Sequence, residues 1–379
     1  MKLNLQTREK CCLFNEELEH LYTFKKFPIF MGCSDNDVKD DITVDMNWCI
    51  GKDNGFIQLK ELIPLDVLYS DSHGSGETGG IWDRHHKSFA EFINKFSPKS
   101  VFEIGGGHGI LEINYQRYNN TPWTILEPNP KPMEGSKAKF INGFFTDNIN
   151  LDFEYDTVVH SHVLEHIYDL NKFMSKLSSV MLDGKRLIFS LPNMHEMLVR
   201  KYTNCLNFEH TIFLTEPYIE FLLSKYGFSI EKKEYFLDDH SIFFSAIKTK
   251  TKMTNVKHTE NLYDINKKTF NEFINYYQNS IIEINSKLNL EKEIYLFGAH
   301  IFSQYLLSFG LDADVISCIL DNNKGKQGRR LYGTNLLVKS PSCLKDIDSP
   351  QVILKAGIYN NEIKSDILKN INSNVEFIE

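Results

Sequence analysis

Short apolar runs alternate with amphipathic stretches from residue 76 to residue 250. The apolar runs have the length and composition of buried strands, and the stretches between them repeat apolar side chains at helical spacing. The runs predict strands at residues 100–104, 123–126, 139–145, 157–160 and 186–191. The amphipathic stretches predict helices at residues 82–96, 170–181 and 217–226. Strands that alternate with helices indicate a parallel sheet with right-handed crossovers.

Two further apolar runs, at residues 229–235 and 241–247, are separated by a short polar turn. Strands joined by a short connection pair antiparallel, so these two are expected to close the sheet at one edge. The chain therefore predicts an α/β fold with a central, Rossmann-like sheet of seven strands.

The pattern divides the chain into three regions. Residues 1–75 have little long-range periodicity and are expected to form a small amino-terminal domain. Residues 76–250 form the predicted seven-stranded domain, and a polar linker at residues 248–252 follows it. Residues 251–379 begin with a long helical pattern at 263–288 and continue with strands predicted at 293–297, 315–320, 351–354 and 375–378. This last region resembles a smaller, nucleotide-binding α/β half.

The charge and cysteine content exclude some classes of protein. Among the 379 residues, 42 Lys and Arg face 50 Asp and Glu, a net charge of −8 that does not favour nucleic-acid binding. The amino terminus lacks an apolar signal core, and no apolar run is long enough to span a bilayer. Seven scattered cysteines, an odd number, indicate reduced thiols. We therefore expect a cytoplasmic protein, a monomer or small homo-oligomer, with no membrane partner.

A glycine cluster follows the first predicted strand of the sheet. Gly105, Gly107 and Gly109 permit a tight turn and let a ligand approach bare backbone. Glu103 precedes the turn, as suits a ligand that carries an amine and a sulfonium, and Glu127 ends the next strand, where an acid can bind both hydroxyls of a ribose. The loop departs from the Gly-x-Gly-x-x-Gly spacing of nicotinamide dehydrogenases. These features favour S-adenosylmethionine (SAM) as the ligand.

Three motifs resemble those of class I SAM-dependent methyltransferases: residues 103–109, residues 127–130 and residues 163–166. The resemblance implies that Glu103, Gly105, Gly107, Gly109, Glu127 and Pro128 bind SAM. It also implies that adenine packs against Phe144 and Phe145, and that His166 lies near the donor methyl group.

A second cluster, Glu209 and His210, follows the fifth predicted strand at the carboxyl edge of the sheet, where such folds bind ligands. The surrounding segment, residues 204–216, is polar and aromatic and is expected to form a pocket loop and not core. His210 can accept a proton near neutral pH, and Glu209 can orient it. The alternative is that Glu209 caps the next helix and His210 is a surface residue.

A more specific resemblance covers nearly the whole chain. The chain resembles the sugar C-methyltransferases that act on nucleotide-linked 4-keto sugars. The matching positions are Tyr69, His85 or His86, the Glu209–His210 pair, Gly298–Ala299, Leu311 and residues 321–329. The resemblance implies that the carboxyl-terminal domain closes over a nucleotide-sugar substrate. It also implies that His210 is the general base, with Glu209, His166 and Tyr69 beside it.

The chain departs from that family at its amino-terminal zinc site, which has two Cys-x-x-Cys pairs. Asn15 follows Cys12 at this spacing, and Lys52 follows Cys49, so each pair lacks one thiolate. A structural zinc needs four ligands. Inert cysteines are favoured, with an altered zinc site as the alternative.

Two other departures concern the acceptor. Residues 190–193 and 239–241 lack the family's usual motifs, and methylation at carbon needs groups that stabilise an enolate. A sugar hydroxyl is therefore the favoured acceptor, with carbon methylation and a catalytically silent SAM-binding subunit as alternatives. Asp238, Asp239 and His240 can hold a divalent ion or form a solvated turn. The basic residues Lys324, Lys326, Arg329 and Arg330 can meet phosphates or remain solvated.

Overall fold

The computed structural model describes residues 3–69, 80–146, 149, 151–250 and 262–379, which contain three groups of elements. The first group comprises β1 (Gln6–Thr7), β2 (Leu18–Pro28), β3 (Cys33–Ser34), β4 (Thr43–Gly51), β5 (Ile57–Leu59), β6 (Glu61–Leu62) and α1 (Leu65–Leu68). Strands β2, β4 and β5 form an antiparallel sheet, and β1 pairs with β6. The register of β2 against β4 shifts twice, so the apolar–polar alternation that would predict these long strands is interrupted.

The second group contains the predicted central elements and two short helices that were not predicted, at Ile110–Tyr115 and Met194–Val199. They are α2 (Gly80–Asn94), β7 (Val101–Ile104), α3 (Ile110–Tyr115), β8 (Trp123–Glu127), β9 (Lys139–Asn142), β10 (Thr157–Ser161), α4 (Leu170–Val180), β11 (Arg186–Pro192), α5 (Met194–Val199), α6 (Glu216–Lys225), β12 (Phe228–Phe236) and β13 (Ser241–Lys248). Each strand and helix predicted here is confirmed. Strand β9 is shorter than predicted because Gly143, with φ +152°, follows it directly.

The seven strands form one sheet, as predicted, and their order is β12-β13-β11-β10-β7-β8-β9. Strand β13 is antiparallel to both of its neighbours, β11 and β12. The four pairings that link β11, β10, β7, β8 and β9 are all parallel. The chain passes from β7 to β8 on one side and later returns to the other side of β7 with β10. The order therefore reverses between β7 and β10, and ligands of such sheets bind at the carboxyl ends of the strands at this switch point.

Apolar side chains cover both faces of this sheet. On one face, Phe89 and Phe92 of α2 and Tyr115 of α3 pack on Ile125 and Phe243 of the strands. Each large apolar side chain that becomes fully buried contributes about 1.5–3 kcal/mol to folding. The other face packs on a larger core that also includes side chains of the first and third groups. This packing fixes the carboxyl edge of the sheet between the two flanking regions.

The third group is the predicted smaller α/β region. It comprises α7 (Leu262–Lys287), β14 (Ile294–Phe297), α8 (Ile301–Ser308), β15 (Ile316–Leu320), β16 (Arg330–Leu331), β17 (Val338–Lys339), β18 (Gln351–Leu354), α9 (Asn360–Asn370) and β19 (Glu376–Ile378). Its parallel sheet has the order β17-β15-β14-β18-β19. The end of the predicted linker, residues 251–252, lies outside the described residues. The domain boundaries at residues 75 and 250 stay predictions.

The first and third groups are joined directly. Strand β3 pairs antiparallel with β16. The guanidinium of Arg330 donates to both carboxylate oxygens of Asp41, over 2.5 and 2.7 Å, and both side chains are almost fully buried. Within the part of the chain that the structure describes, no helix is long and apolar enough to cross a membrane.

The expectation that residues 204–216 form a pocket loop and not core is wrong. Their apolar side chains are buried: Leu206, Phe208, Ile212, Phe213 and Leu214. The segment runs along β5, where the amide of Leu59 donates to the carbonyl of Thr211 and the amide of Phe213 donates to the carbonyl of Ile57. The polar residues suggested a loop, but this backbone pairing places their apolar neighbours in the core. Glu209 and His210 are half-buried at its surface.

Candidate active site

The glycine loop connects β7 to α3 through left-handed backbone. Gly105, Gly107 and Gly109 have φ of +71°, +55° and +83°. A Cβ on Gly105 would lie 2.8 Å from Cγ2 of Val163, so the loop passes close to the segment that follows β10. Only glycine adopts this path without strain at each of these positions.

Glu127 holds the loop in this shape. Its Oε2 accepts a hydrogen bond from the amide of Gly107 and its Oε1 accepts one from the amide of Asn129, both over 3.1 Å. A carboxylate has about four lone-pair sites, so further acceptor capacity remains for two hydroxyl groups. Pro128 is half-buried beside it, and its carbonyl accepts a bond from the Asn142 side chain.

Glu103 is buried directly under the loop. A Cβ on Gly106 would lie 2.6 Å from the carboxyl carbon of Glu103. Burial raises the pKa of Glu103 to about 8, although the indole of Trp123 donates a 2.7 Å hydrogen bond to the carboxylate. A cationic ligand on the loop would lower this pKa by favouring the ionised form. The site therefore fits a ligand that carries a positive charge.

The two predicted adenine-lining phenylalanines differ in environment. Phe144 has 49% of its surface exposed and can face a ligand. The ring of Phe145 packs into the core against Phe102 and Phe173, at centroid distances of 6.3 and 5.3 Å. Their roles toward adenine stay predictions.

The predicted catalytic residues come from three separate segments and meet beside this loop. A short 3-10 helix after β10, Leu164–His166, carries His166. The rings of His166 and His210 are 4.9 Å apart, and the hydroxyl of Tyr69 lies 3.5 Å from Nδ1 of His166. Asn207 shapes the turn before His210, since its Oδ1 accepts the amides of Glu209 and His210 over 2.8 Å each. The sequence-based grouping of these four residues is consistent with this geometry.

The alternative role of Glu209 as a helix cap is wrong. Helix α6 begins at Glu216, and Thr215 occupies its capping position. Glu209 therefore lies well before the first turn of that helix.

His210 has one ring nitrogen available for a proton. Burial lowers the pKa of His210, while the charge of Glu165 and hydrogen bonds to the carbonyls of Asn204 and Cys205 raise it. Its Nδ1 is buried without a hydrogen-bond partner among the described residues, so the bonds to the carbonyls are assigned to Nε2. Nδ1 then carries the lone pair of a neutral imidazole.

The two other members of this group differ from His210. Burial lowers the pKa of His166 to about 4, so this ring is neutral at physiological pH. Burial raises the pKa of Tyr69, which keeps its hydroxyl protonated and able to donate. The group thus contains a neutral base and a hydrogen-bond donor.

Glu165 belongs to this group but was not predicted as a site residue. It is fully buried, and one ligand atom from each of Glu165, His166 and His210 lies within 4.8 Å of the other two. These three side chains can hold a metal ion. The sequence signal was the adjacency of Glu165 and His166, but only the fold brings His210 to them.

The residues on the other side of β10 form a separate histidine-rich cluster. His85 is buried, with its Nε2 3.2 Å from Oγ of Ser190, and its ring contacts His162 and Trp82. His240 is bonded through Nδ1 to Oγ of Ser241 over 2.7 Å. His85 and His86 contact each other in this cluster, and no described interaction joins either of them to His210. Their place in the sugar-enzyme resemblance stays a prediction.

The metal interpretation of residues 238–240 is not supported. Asp239 accepts hydrogen bonds from Arg200 and Tyr202, over 2.9 and 2.7 Å. Within the described ranges, these three residues do not form a cluster of metal-ligating atoms.

The amino-terminal cysteines also show no metal geometry. All seven cysteines are free, as predicted, and Cys11 and Cys49 are buried. Burial raises the pKa of Cys11 to about 12 and that of Cys49 to about 11. No cysteine belongs to a metal-ligating cluster in the described part of the chain. Inert thiols are thus the interpretation that the geometry favours.

The smaller sheet repeats the acid-to-loop bond of the central sheet. The amide of Ala299 donates to Oδ2 of Asp321 over 2.9 Å, and Nζ of Lys326 lies 3.1 Å from the same oxygen. Arg330 is engaged by Asp41, and Arg329 by Asp35. The phosphate-binding interpretation therefore fails for Arg330, whose charge is already neutralised in a buried pair.

Two family models match the chain. Residues 81–233 match a methyltransferase domain, and residues 245–378 match a C-methyltransferase C-terminal domain. Together they cover more than half of the chain. No curated protein sequence matches it significantly.

Several solved methyltransferase structures are distantly similar. Magnesium protoporphyrin IX methyltransferase from Synechocystis, with S-adenosylhomocysteine bound, is 18% identical with a TM-score of 0.36, over 46% of this chain and 90% of that one. Human N-acetylserotonin methyltransferase in complex with SAM is 17% identical with a TM-score of 0.38, over 45% of this chain and 53% of that one. The 1,6-didemethyltoxoflavin-N1-methyltransferase from Burkholderia thailandensis is 14% identical with a TM-score of 0.38, over 49% of this chain and 85% of that one.

The two family models, the strand order and the glycine loop agree with one another. The chain is a class I SAM-dependent methyltransferase, with a carboxyl-terminal domain of the C-methyltransferase type.

Proposed function

We propose that this enzyme methylates a hydroxyl group of a nucleotide-activated sugar, with His210 as the general base. The observation that carries the proposal is Nδ1 of His210, a buried lone pair with no partner in the described structure. The His210 ring lies 4.9 Å from the ring of His166, which also contacts Tyr69, next to the segment that packs on the glycine loop. A base in this position can take the proton that a hydroxyl loses on methylation.

The donor side of the proposal rests on the loop and its two acids. Glu103 fits beneath the cationic amino-acid end of SAM, because a positive charge would compensate its buried carboxylate. Glu127 would accept both ribose hydroxyls, beside Pro128. Backbone at Gly105, Gly107 and Gly109 would line the cofactor. Phe144 and the edge of Phe145 would contact adenine.

The residues of the chain align the reactants and move one proton. SAM supplies a methyl group on a sulfonium, a good leaving group. Bound SAM would supply this methyl group to the acceptor oxygen and leave as S-adenosylhomocysteine, and Nδ1 of His210 would take the proton that the hydroxyl loses. The carbonyls of Asn204 and Cys205 hold the ring in the tautomer that accepts it. Tyr69, Glu209 and His166 would position the acceptor, and alignment itself supplies much of the rate.

The nucleotide-sugar part of the proposal comes from the resemblance to sugar C-methyltransferases. It is supported by the match of residues 245–378 to a C-methyltransferase C-terminal domain. In that domain, the loop at which Asp321 accepts bonds from the Ala299 amide and from Nζ of Lys326 would contact the nucleotide.

Carbon methylation is the second candidate, and the same family match favours it. Here His210 would remove a proton from the carbon next to a ketone. The hydroxyl of Tyr69, which its raised pKa keeps protonated, would donate to the enolate oxygen.

Both candidates can be tested with a panel of nucleotide sugars that includes 4-keto sugars. Each sugar is incubated with the enzyme and with SAM that carries carbon-13 in its methyl group. Carbon-13 NMR of the product separates an O-methyl from a C-methyl group. The His210→Ala variant should lose turnover and keep S-adenosylhomocysteine binding, whereas His195→Ala should keep both. Undiminished turnover in His210→Ala would exclude His210 as the general base. SAM binding with no product from any sugar would instead favour the silent-subunit alternative.

A further inference from the structure

Glu165 is a buried carboxylate that lacks a hydrogen-bond partner. Its side chain is 0% exposed, and neither of its oxygens is hydrogen-bonded among the described residues. Nδ1 of His162 lies 3.3 Å from Oε1, outside hydrogen-bond geometry. Burial disfavours the ionised form of this carboxyl group, and a bound cation would offset that cost.

Two imidazoles converge on this carboxylate. One ligand atom of Glu165, one of His166 and one of His210 lie within 4.8 Å of one another. Nδ1 of His210 has no hydrogen-bond partner among the described residues. A neutral imidazole nitrogen with a free lone pair can bind a metal ion. His166 and His210 are half-buried, so part of each side chain is open to solvent.

We propose that Glu165, His166 and His210 form a binding site for a divalent transition-metal ion such as Zn²⁺. Two imidazole nitrogens and one carboxylate oxygen are a ligand set of zinc sites with an open fourth position, whereas Mg²⁺ and Ca²⁺ prefer oxygen alone. Zinc bonds of this type would bring the ligand atoms to about 3.3 Å from one another. Because the present separations are at most 4.8 Å, the side chains need to close by no more than about 1.5 Å around the ion, by rotation of the two half-buried rings.

The consequence for catalysis rests on the proposed function. Nδ1 of His210 has one lone pair, so it cannot bind a metal ion and accept the acceptor's proton at the same time. Zinc at this site should therefore inhibit methyl transfer. The metal-free form of the enzyme would be active and the metal-bound form inactive. The carboxylate of Glu165 would stabilise the metal-bound form.

The first experiment measures binding without turnover. Co²⁺ is titrated into the chelator-treated, full-length protein, and its visible absorption reports the coordination. Nitrogen and oxygen ligands give no thiolate charge-transfer band, so the spectrum separates this site from the cysteines. We expect one ion per chain. Glu165→Gln, which keeps the side-chain shape, should weaken binding by about tenfold or more. His195→Ala and Glu196→Gln, a matched adjacent pair elsewhere, should leave binding unchanged.

A second measurement separates binding from misfolding and from function. Each variant is titrated with S-adenosylhomocysteine, and retained affinity shows that the fold is intact. Zinc should inhibit the wild type, a chelator should restore activity, and Glu165→Gln should need about tenfold more zinc. Unchanged Co²⁺ binding in Glu165→Gln, a thiolate band, or stimulation of turnover by zinc would overturn the proposal. Absence of any methylated sugar would refute the proposed function alone and leave the Co²⁺ result intact.

Discussion

The backbone amide of Gly107 donates a 3.1 Å hydrogen bond to Oε2 of Glu127. This bond ties the loop after β7 to the end of β8, across two neighbouring parallel strands. In the smaller sheet, Ala299 and Asp321 are bonded in the corresponding way after β14 and β15. An acid at the end of the second strand thus shapes the ligand loop of the first. In the central sheet, the same acid is proposed to bind the ribose of SAM.

Replacement of this acid should weaken cofactor binding. Glu127→Gln keeps the side-chain size and removes the charge on which the loop amide and the ribose hydroxyls depend. A hydrogen bond to a charged group contributes about 1.5–3 kcal/mol, so the dissociation constant of S-adenosylhomocysteine should rise by about ten- to a hundredfold. Isothermal titration calorimetry measures it. Glu134→Gln, at an exposed acid of the same stretch, should have no effect. Equal affinities for the two variants would remove Glu127 from the site.

The glycine loop should tolerate a methyl group less well than an open turn. A Cβ on Gly109, where φ is +83°, would lie 2.7 Å from Oγ of Ser136 and 3.2 Å from Cζ of Phe140. Gly135 has φ +94° and no heavy atom within 4 Å of such a Cβ. Gly135→Ala should therefore cost only the left-handed backbone energy, about 1–2 kcal/mol. Gly109→Ala should cost more and also weaken S-adenosylhomocysteine binding.

Urea unfolding gives both stabilities, and calorimetry gives both affinities. If Gly135→Ala lowered the affinity as much as Gly109→Ala, the close approach at Gly109 would not explain the effect.

The central sheet was predictable because each strand is a continuous apolar run, bounded by residues that end it. Pro192, for example, closes the fifth predicted strand, where β11 indeed ends. The loop residues were predictable because local backbone demands fix them: Gly105 and Gly109 adopt φ that other residues avoid. Such a requirement determines the residue type at the position itself, so it can be recognised from the sequence.

What escaped prediction depends on contacts between distant segments. The apolar side chains of residues 204–216 are part of the core because the segment runs along β5, which lies about 150 positions earlier in the chain. The polar composition of the segment does not reveal this pairing. Glu165 becomes a site residue only where the fold brings His210 to it. Arg330 looked available for phosphates until its pairing with Asp41 was seen.

Removal of the Tyr69 hydroxyl should slow the reaction without loss of the cofactor. The hydroxyl is 3.5 Å from Nδ1 of His166, and its raised pKa keeps it a donor. Tyr69→Phe should lower kcat by about tenfold, the effect of one well-placed hydrogen bond. Steady-state kinetics measures kcat, and calorimetry should give an unchanged affinity for S-adenosylhomocysteine. Tyr235→Phe, at an exposed position, is the control. A kcat equal to that of the wild type would exclude Tyr69 from catalysis.

A buried histidine makes the stability of the fold depend on pH. His160 stacks on Phe189 at 5.0 Å, neither ring nitrogen has a partner in the described structure, and burial lowers its pKa to about 3. The unfolded chain, with a pKa near 6.5, binds this proton more tightly than the folded one. The stabilisation is therefore complete above pH 6.5 and decreases as the pH falls toward about 3.

His160→Leu should reduce this loss by a few kcal/mol over the same interval. Urea unfolding at several pH values gives the slope of the free energy of unfolding against pH. His20→Leu, at an exposed histidine, should retain the wild-type slope. A slope in His160→Leu as steep as that of the wild type would assign the pH dependence to other groups.

The buried pair between the first and third groups should be far more important for stability than its neighbour on the surface. Arg330 donates to both oxygens of Asp41, which also accepts the amide of Gly333, so removal of the guanidinium leaves a buried carboxylate without its counter-ion. Arg330→Ala should lower the free energy of unfolding by about 3–5 kcal/mol. Arg329 pairs with a largely exposed Asp35, so Arg329→Ala should cost less than about 1 kcal/mol. Urea unfolding measures both variants. If the two changed stability equally, the contact of β3 with β16 would not depend on this ion pair.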